Sequence, residues 1–263
     1  MTPYLAVVSA RFRVLLQYRA AAFAGVVTQT FFGFVRLSIL LAFFRAASGP
    51  HPMTPADLPA YIWLGQALFQ MIPWSLDREV AALVRSGGVS YELLRPMDLY
   101  NQWFARALAL RTAPVLLRAL PMVVLAVAFF GLGPPPSAAS AAAFAASVLA
   151  ALLLSCALTV FLNVTLMWTL SGEGVTQLVL VAVIVFSGLV IPVPLFPDWF
   201  QPFVTALPFA GLMDTPLRLY TGNIPATEAL TFLLRQLVWT AALVLAGRAL
   251  LARGTRRLVI HGG

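Results

Sequence analysis

Lysine is absent from this chain of 263 residues, and all 17 of its basic residues are arginines. The absence excludes a phosphate-binding loop of the GxxxxGK[ST] type, because the lysine of that loop reaches the nucleotide phosphates. The chain therefore does not bind ATP in that way. Cysteine occurs once, at Cys156, which cannot form an intramolecular disulfide, so we expect a small buried thiol in an apolar segment.

Charged residues are also scarce, at 10% of the chain, whereas hydrophobic residues make up 61% and the mean hydropathy is +0.91. A soluble protein could not hide so much apolar surface in one core, so the composition predicts an all-α polytopic membrane protein. A pI near 10.8 would suggest nucleic acid in a soluble protein. Here the arginines flank apolar segments, a pattern that orients membrane helices, so we expect a lipid bilayer and no nucleic acid as partner.

Titratable groups of the kind that carry ions or perform catalysis are missing from the apolar segments. Every Asp and Glu falls at a segment end or in a loop, so the sequence predicts no relay for protons or sodium through the membrane. The two histidines, His51 and His261, fall in a loop and in the tail. The sequence therefore predicts no metal site, no cofactor bound by this chain and no catalytic residues.

Six apolar segments are each near the roughly 20 residues that a helix needs to cross the hydrocarbon core of a membrane. Residues 1–20 instead predict an amphipathic helix at the membrane surface, and a long start to the first span is the alternative. The predicted spans are residues 21–44, 58–76, 104–131, 138–170, 175–191 and 229–251. The whole chain, 1–263, is interpreted as a single domain.

Arginines at the ends of these segments are distributed unevenly between the two membrane faces. Only Arg45 and Arg218 fall on one face. The other face carries arginines at positions 11, 13, 19, 78, 85, 95, 106, 111, 248, 253, 256 and 257. Because basic loops stay in the cytoplasm, this bias predicts that both termini and the region 77–103 are cytoplasmic.

Polar side chains inside the predicted spans are candidates for a transport pathway, since a charged group at the bilayer centre costs about 2.5–3.5 kcal/mol on insertion scales. Arg36, within the first predicted span, is the clearest case. The full set is Gln29, Arg36, Asn163, Thr165 and Gln177. These side chains either line a polar route between helices or simply form hydrogen bonds from one helix to another.

A polar insert separates the second and third predicted spans. Its charged start at Asp77 predicts a helix that Gly87 and Gly88 end, and a second short turn precedes Pro96. Asp98 is expected to cap the third span. Exposed Tyr, Leu and Arg are common at protein interfaces, so the insert is either a docking surface or an ordinary solvated loop.

Prolines interrupt the apolar sequence that follows the fifth predicted span, in the region 192–228. They stand at positions 192, 194, 197, 202 and 208. A straight helix cannot continue through them, yet the segment is too apolar for an aqueous loop. We expect it to re-enter the outer leaflet with Trp199 near the headgroups, and a disordered outer loop is the alternative.

Three segments together resemble the permeases of the ABC-2 type transporter family. They are residues 85–100 (RSGGVSYELLRPMDLY), 187–197 (SGLVIPVPLFP) and 207–222 (LPFAGLMDTPLRLYTG). Their order and spacing, with the six predicted spans, are similar to a bacterial subgroup in which two related permeases often accompany one ATPase. The resemblance covers essentially the whole chain.

This resemblance implies a half-transporter, of the export type, in the bacterial cytoplasmic (inner) membrane. ATP and Mg would be bound by two copies of a separate ABC ATPase, and the second permease would be identical to this chain or a related sister chain. A cytoplasmic coupling helix between spans two and three would contact the ATPase through Arg85, Gly87, Gly88, Tyr91, Glu92, Leu94, Arg95 and Pro96. An outer gate is implied at Gly188, Pro192, Pro197, Pro208 and Phe209.

Two other functions stay open at this stage. A stand-alone secondary transporter or channel, driven by an ion gradient, is disfavoured by the lack of intramembrane acids, and co-purification of an ATPase would decide. A membrane anchor or assembly factor would show no ATP-dependent transport after reconstitution. The residues do not indicate the substrate.

Overall fold

The computed structural model of the protein describes residues 3–46, 52–74, 76–169 and 173–258, and these are helical with no β-strand among them. The predicted all-α class is confirmed. The α-helices are α1 (Pro3–Leu16), α2 (Arg19–Ala46), α3 (Asp57–Ala67), α4 (Arg78–Arg85), α5 (Val89–Leu93), α6 (Leu99–Phe129), α7 (Ala138–Thr165), α8 (Glu173–Phe186), α9 (Gln201–Ala206), α10 (Asp214–Thr221) and α11 (Ala229–Leu258). Short 3-10 turns occupy Phe69–Met71, Val193–Leu195, Phe209–Leu212 and Ala226–Glu228. Some predicted features lie outside the described residues. They are residues 1 and 2 of the predicted amino-terminal helix, residue 75 of the second predicted span, residue 170 of the fourth predicted span, and both histidines, His51 and His261.

Within the described residues, four helices are long and apolar enough to cross a membrane: α2, α6, α7 and α11. They correspond to the first, third, fourth and sixth predicted spans. Each has at least 28 residues, which gives a length of roughly 40 Å at about 1.5 Å per residue. The hydrocarbon core is about 30 Å thick, so each helix exceeds it.

The second and fifth predicted spans are not continuous helices of membrane-crossing length. Helix α3 has 11 residues and α8 has 14, so they reach only about 16 and 21 Å. Helix α3 ends at Ala67 and a 3-10 turn follows it. The chain then becomes extended at Ile72, in front of Pro73, whose ring disfavours a helical conformation in the preceding residue. The fifth ends just before Gly188, which has a positive φ of 81°. The second and fifth spans are therefore not confirmed as single helices, and six crossings stay a prediction.

Helix α7 lies at the centre of the molecule, and α6, α10 and α11 pack around it. Helix α3 is also almost completely buried, with Tyr61, Ile62 and Trp63 in the core. The indole of Trp63 stacks on the ring of Phe130, with 4.1 Å between the ring centroids. The apolar sequence of α3 is therefore explained by burial inside the protein.

The amino-terminal segment forms a separate helix, as predicted, and α1 packs along α6. A short break at residues 17–18 divides α1 from α2. None of the α1 side chains is fully buried. A helix separate from α2 is therefore present, and its amphipathic character and its location at a membrane surface stay predictions.

Candidate functional site

The polar insert forms the two short helices α4 and α5, and its local signals act as the sequence predicts. The carboxylate of Asp77 caps α4 by accepting the backbone N–H groups of Glu79 and Val80, at 3.0 and 3.4 Å. Gly87 follows the end of α4 with a φ of 71°, a conformation that favours glycine. Asp98 caps α6 by accepting the backbone N–H of Asn101 at 2.8 Å. These caps give the insert defined ends.

Glu92 is buried, although an ATPase contact was predicted for it. Its carboxylate is 5% exposed and accepts the indole N–H of Trp103 at 3.0 Å and the amide N–H of Gln102 at 3.2 Å. Both donors lie on α6. Glu92 therefore fastens α5 to a long helix and has little surface to offer a partner.

The remaining residues of the predicted contact mostly face outward. Tyr91 and Leu94 are 76% and 82% exposed, which is unusual for large side chains with so much apolar area. Gly88 is half-buried. The other exposed members are Arg85, Gly87, Arg95 and Pro96. We call the exposed set of Arg85, Gly87, Tyr91, Leu94, Arg95 and Pro96 the insert surface.

Ion pairs connect the base of the insert to α1 and α6, and a hydrogen bond connects it to α7. Arg11 of α1 and Arg106 of α6 each contact Asp77 at 3.4 Å, and each also pairs with Glu79. The Arg11 hydrogen bond is the main cause that holds the pKa of Glu79 below its usual range. The side-chain oxygen of Asn163, on α7, accepts the backbone N–H of Asp77 at 3.2 Å. Asn163 is therefore occupied in joining the insert to α7.

A cavity of about 380 Å³ lies between α2, α3 and α8. Gln29 and Arg36, two of the predicted pathway residues, line it together with Arg118 and Trp74. Its volume falls in the range of about 300–1,000 Å³ that is usual for ligand sites. We call it the α2 cavity.

A second cavity, of about 460 Å³, lies between α4 and α8 and is lined by Gln177, Arg78 and Arg85. Trp74 borders this cavity as well as the α2 cavity. Thr165, the remaining predicted pathway residue, donates its hydroxyl to the Leu162 carbonyl at 2.7 Å. The predicted pathway set is therefore divided: Gln29, Arg36 and Gln177 line cavities, whereas Asn163 and Thr165 bond within the fold.

The proline-rich region of residues 192–228 is folded back onto the protein around Asp214. We call it the outer segment, after its predicted location. The Asp214 carboxylate accepts the Tyr61 hydroxyl at 2.8 Å and the backbone N–H of Val193 at 2.9 Å. The same hydroxyl lies 3.0 Å from the carbonyl of Gly188. A Cβ at Gly188 would lie 2.5 Å from the Tyr61 hydroxyl oxygen, so only glycine fits this approach.

The other members of the predicted outer gate differ in burial. Pro192 and Pro208 are buried, Pro197 is exposed and Phe209 is half-buried. Trp199 is 80% exposed. The segment is therefore an ordered set of turns and short helices, and its role as a gate stays a prediction.

A family model described as "ABC-2 family transporter protein" matches residues 58–262, which is more than three quarters of the chain. The chain belongs to the ABC-2 transporter family. No curated protein matches the chain. The matched residues include the insert, the second cavity, the outer segment and the long helices α6, α7 and α11.

Membership of the ABC-2 family has two direct consequences. Permeases of this family are in general non-catalytic membrane components, and the family implies association with an ABC ATPase. The apolar helices of this ABC-2 family protein fit a multi-pass membrane protein. The resemblance seen in the sequence is confirmed at the level of the family.

Three carboxylates of this ABC-2 family protein are buried, although the sequence places each at a segment end or in a loop. They are Asp77, Glu92 and Asp214, each at most 5% exposed. Each has the hydrogen-bond partners described above. Burial does not contradict this placement, because a residue at a helix end or in a loop is buried when other elements cover it.

Arg111, which is counted above with the cytoplasmic arginines, is buried inside the protein. It donates to the Ile72 carbonyl at 2.8 Å and to the Thr159 hydroxyl at 3.1 Å. The sequence carries one signal for this burial, because the Asp98 cap places Arg111 more than three turns into α6. The predicted excess of arginines on the cytoplasmic face remains when Arg111 is left out of the count.

Gln236 is a further buried residue that sequence reasoning missed. Its amide donates to the carbonyls of Ser147 and Gly211, at 3.1 and 2.7 Å, and its side-chain oxygen accepts the Ser147 hydroxyl at 3.1 Å. Gln236 thereby joins α11 to α7 and to the outer segment. No local pattern marks it, since its partners are distant in sequence.

Proposed function

We propose that this chain is the membrane-spanning permease subunit of an ATP-driven exporter and that its insert surface receives the movement of a separate ABC ATPase. Family membership supports the transport role. Export, as the direction, is supported only by the resemblance of the three sequence segments to export-type permeases. ATP-driven movement can shift the permease only if the insert has different contacts with the ATPase in its two states.

The proposed assembly has two copies of the ATPase, which bind ATP and Mg, and two permeases that face each other. The second permease is a copy of this chain or a related sister chain. We propose that the chain crosses a bacterial inner membrane six times, with α3 and α8 each completed by the turns that follow them. An even number of crossings and the arginine bias both support cytoplasmic termini.

One observation carries the coupling proposal: the insert surface is exposed, yet the helices beneath it are firmly fastened. Tyr91 and Leu94 protrude, whereas Glu92, between them in sequence, is bonded to α6. Exposed aromatic and arginine side chains are the residue types that dominate protein interfaces. A fastened helix with protruding anchors suits the transmission of force better than a flexible loop would.

The experiment compares the purified complex of the wild type with that of the double variant Tyr91→Ala/Leu94→Ala. The tagged chain is purified from the membranes of its own host, and its ATPase subunit is identified by the GxxxxGK[ST] sequence. ATP hydrolysis by the complex is then measured in nanodiscs. We expect the double variant to insert into the membrane normally and to lose most of the bound ATPase.

Trp199→Ala is the matched control, because Trp199 is as exposed as Tyr91 but lies in the outer segment. This control should retain the ATPase at the wild-type ratio. Full ATPase association and stimulated hydrolysis in the double variant would contradict the proposed docking role. Solute transport by the purified chain alone, without ATP, would contradict the proposed function.

The buried carboxylates do not favour the alternative of a transporter driven by an ion gradient. Asp77 is paired with two arginines, Glu92 with two N–H donors, and Asp214 with the Tyr61 hydroxyl and Arg218. A relay residue must exchange its ion with a pathway. None of these three lines the α2 cavity or the second cavity, and the pocket that Asp214 borders has a volume of only about 10 Å³, room for about one water molecule.

A further inference from the structure

The α2 cavity contains buried polar atoms that lack a partner among the residues that the structure describes. Gln29 is 5% exposed, and neither its side-chain oxygen nor its amide nitrogen has a hydrogen bond. The Nε atoms of Arg36 and Arg118 are also buried without a partner. Buried polar groups are nearly always hydrogen-bonded in folded proteins, so these three unpaired N–H donors, beside one unpaired acceptor, point to a ligand that supplies acceptors.

The charge of this cavity has one sign. Arg36 and Arg118 both line it, and its described lining includes no Asp or Glu. Arg118 reaches the cavity because α2 has a glycine at the point of contact: a Cβ at Gly25 would lie 2.5 Å from the guanidinium carbon. One guanidinium nitrogen of Arg118 also donates to the Ala21 carbonyl at 3.4 Å. The guanidinium therefore lies against the backbone of α2.

The walls of the α2 cavity are apolar. Phe32, Phe69, Trp74, Leu189 and Val190 form much of the lining. Phe32 and Val190 are exposed, so the cavity opens toward the apolar surface formed by α2 and the turn that follows α8. A small inorganic anion would leave these walls uncovered. A ligand with an apolar chain would cover them.

We propose that the α2 cavity binds the negatively charged head of an amphipathic substrate, with a phosphate or carboxylate against Arg36, Arg118 and Gln29. The inference rests on the proposed transport function and names the substrate class for it. The second cavity extends this basic route, since it meets the α2 cavity at Trp74 and is lined by Arg78 and Arg85, again without an acid in its described lining.

The test uses tryptophan fluorescence of the full chain in phosphatidylcholine nanodiscs. The probe is undecyl phosphate that carries bromine at the end of its tail, because bromine quenches an indole that it contacts. Trp74 is the reporter in the cavity, so the saturable part of the quenching should largely disappear in Trp74→Phe. Unbrominated undecyl phosphate should displace the probe.

Arg36→Gln should weaken the apparent Kd by about tenfold or more, which corresponds to about 1.4 kcal/mol. The matched control is Arg235→Gln, which removes an arginine from another apolar helix, α11, outside the α2 cavity. It should change the Kd by less than about twofold, within the usual effect of an exposed substitution. Arg118→Gln is the second variant, because Arg118 is only half-buried and its loss should not prevent folding. Thermal unfolding establishes that each variant is folded.

Equal saturable quenching by the brominated trimethylammonium analogue would overturn the proposal, because the cavity would then not select an anion. Displacement of the probe by inorganic phosphate at equal concentration would show that the site binds a free anion. It would overturn the proposal that the ligand needs an apolar chain. Unchanged affinity in both arginine variants would also overturn it. The assay needs no ATP and no partner, so a negative result would not contradict the proposed coupling to the ATPase. In the same way, a negative result in the ATPase experiment would not contradict the anion site.

Discussion

Replacement of Glu92 by alanine separates a fastening role from a direct contact with the ATPase. The substitution removes the buried acceptor of the Trp103 and Gln102 side chains. Both donors are at most 2% exposed, so water cannot replace the carboxylate without a rearrangement of α5. We expect Glu92→Ala to loosen α5 from α6 and to lower the free energy of unfolding.

The magnitude follows from the two orphaned donors. A buried donor without a partner costs about 1–3 kcal/mol, and bonds to a charged acceptor lie toward the upper end. Release of a buried carboxylate offsets part of this cost. We therefore expect a net loss of about 2–4 kcal/mol, which is a large share of the roughly 5–15 kcal/mol that stabilises a typical protein.

Denaturant unfolding in micelles provides the assay, with tryptophan fluorescence as the signal because Trp103 is one of the released donors. Glu92→Gln keeps an acceptor oxygen for one donor and should lose less than half as much stability. Tyr91→Ala and Leu94→Ala should stay within about 0.5 kcal/mol of the wild type, since both side chains are exposed. Wild-type stability of Glu92→Ala together with loss of the ATPase would refute this reasoning and restore Glu92 to the contact.

Two further predictions concern the outer segment and the base of the insert. Gly188→Ala should lower stability by about 2–4 kcal/mol in thermal unfolding, because the added methyl group is strained at positive φ and overlaps Tyr61. The control is Gly133→Ala, which should change stability little because the space around Gly133 is open. Because the pKa of Glu79 is lowered in the folded protein, the pairing with Arg11 contributes stability above the ordinary glutamate range, roughly pH 4, and is lost as the pH falls through the folded value. Spin labels on α1 and α4 should therefore report a wider separation at acid pH, and Glu79→Gln should show the wider separation at neutral pH as well.

The ends of the insert helices and of α6 could be predicted from the sequence because they depend on local chemistry. Asp77 and Asp98 bond to backbone groups two or three residues away, and the turn at Gly87 requires only its own φ. Such signals are complete within a few residues. The four long apolar helices were predictable for a similar reason, since length and composition alone distinguish them.

Burial inside the protein could not be predicted in the same way. The apolar sequence of α3 suits a lipid-facing helix and a protein core equally, and its true surroundings depend on partners such as Phe130, far along the chain. Likewise, Glu92 and Tyr91 are adjacent in sequence, but only Glu92 faces the α6 donors. The burial of Asp214 could not be predicted either, because its partner Tyr61 is distant from it in sequence.

The connection between the insert and the α2 cavity depends on Trp74. This residue lies three positions before the Asp77 cap of α4, and its ring stacks on Phe69 with 4.5 Å between the ring centroids. Its indole N–H also donates to the Phe69 carbonyl at 3.0 Å. Because Asp77 is paired with Arg11 and Arg106, α4 is tied at its base to α1 and α6. Under the proposed coupling, we therefore expect a displacement of α4 to move α1 and α6 with the insert and to reach, through Trp74, the wall that both cavities share.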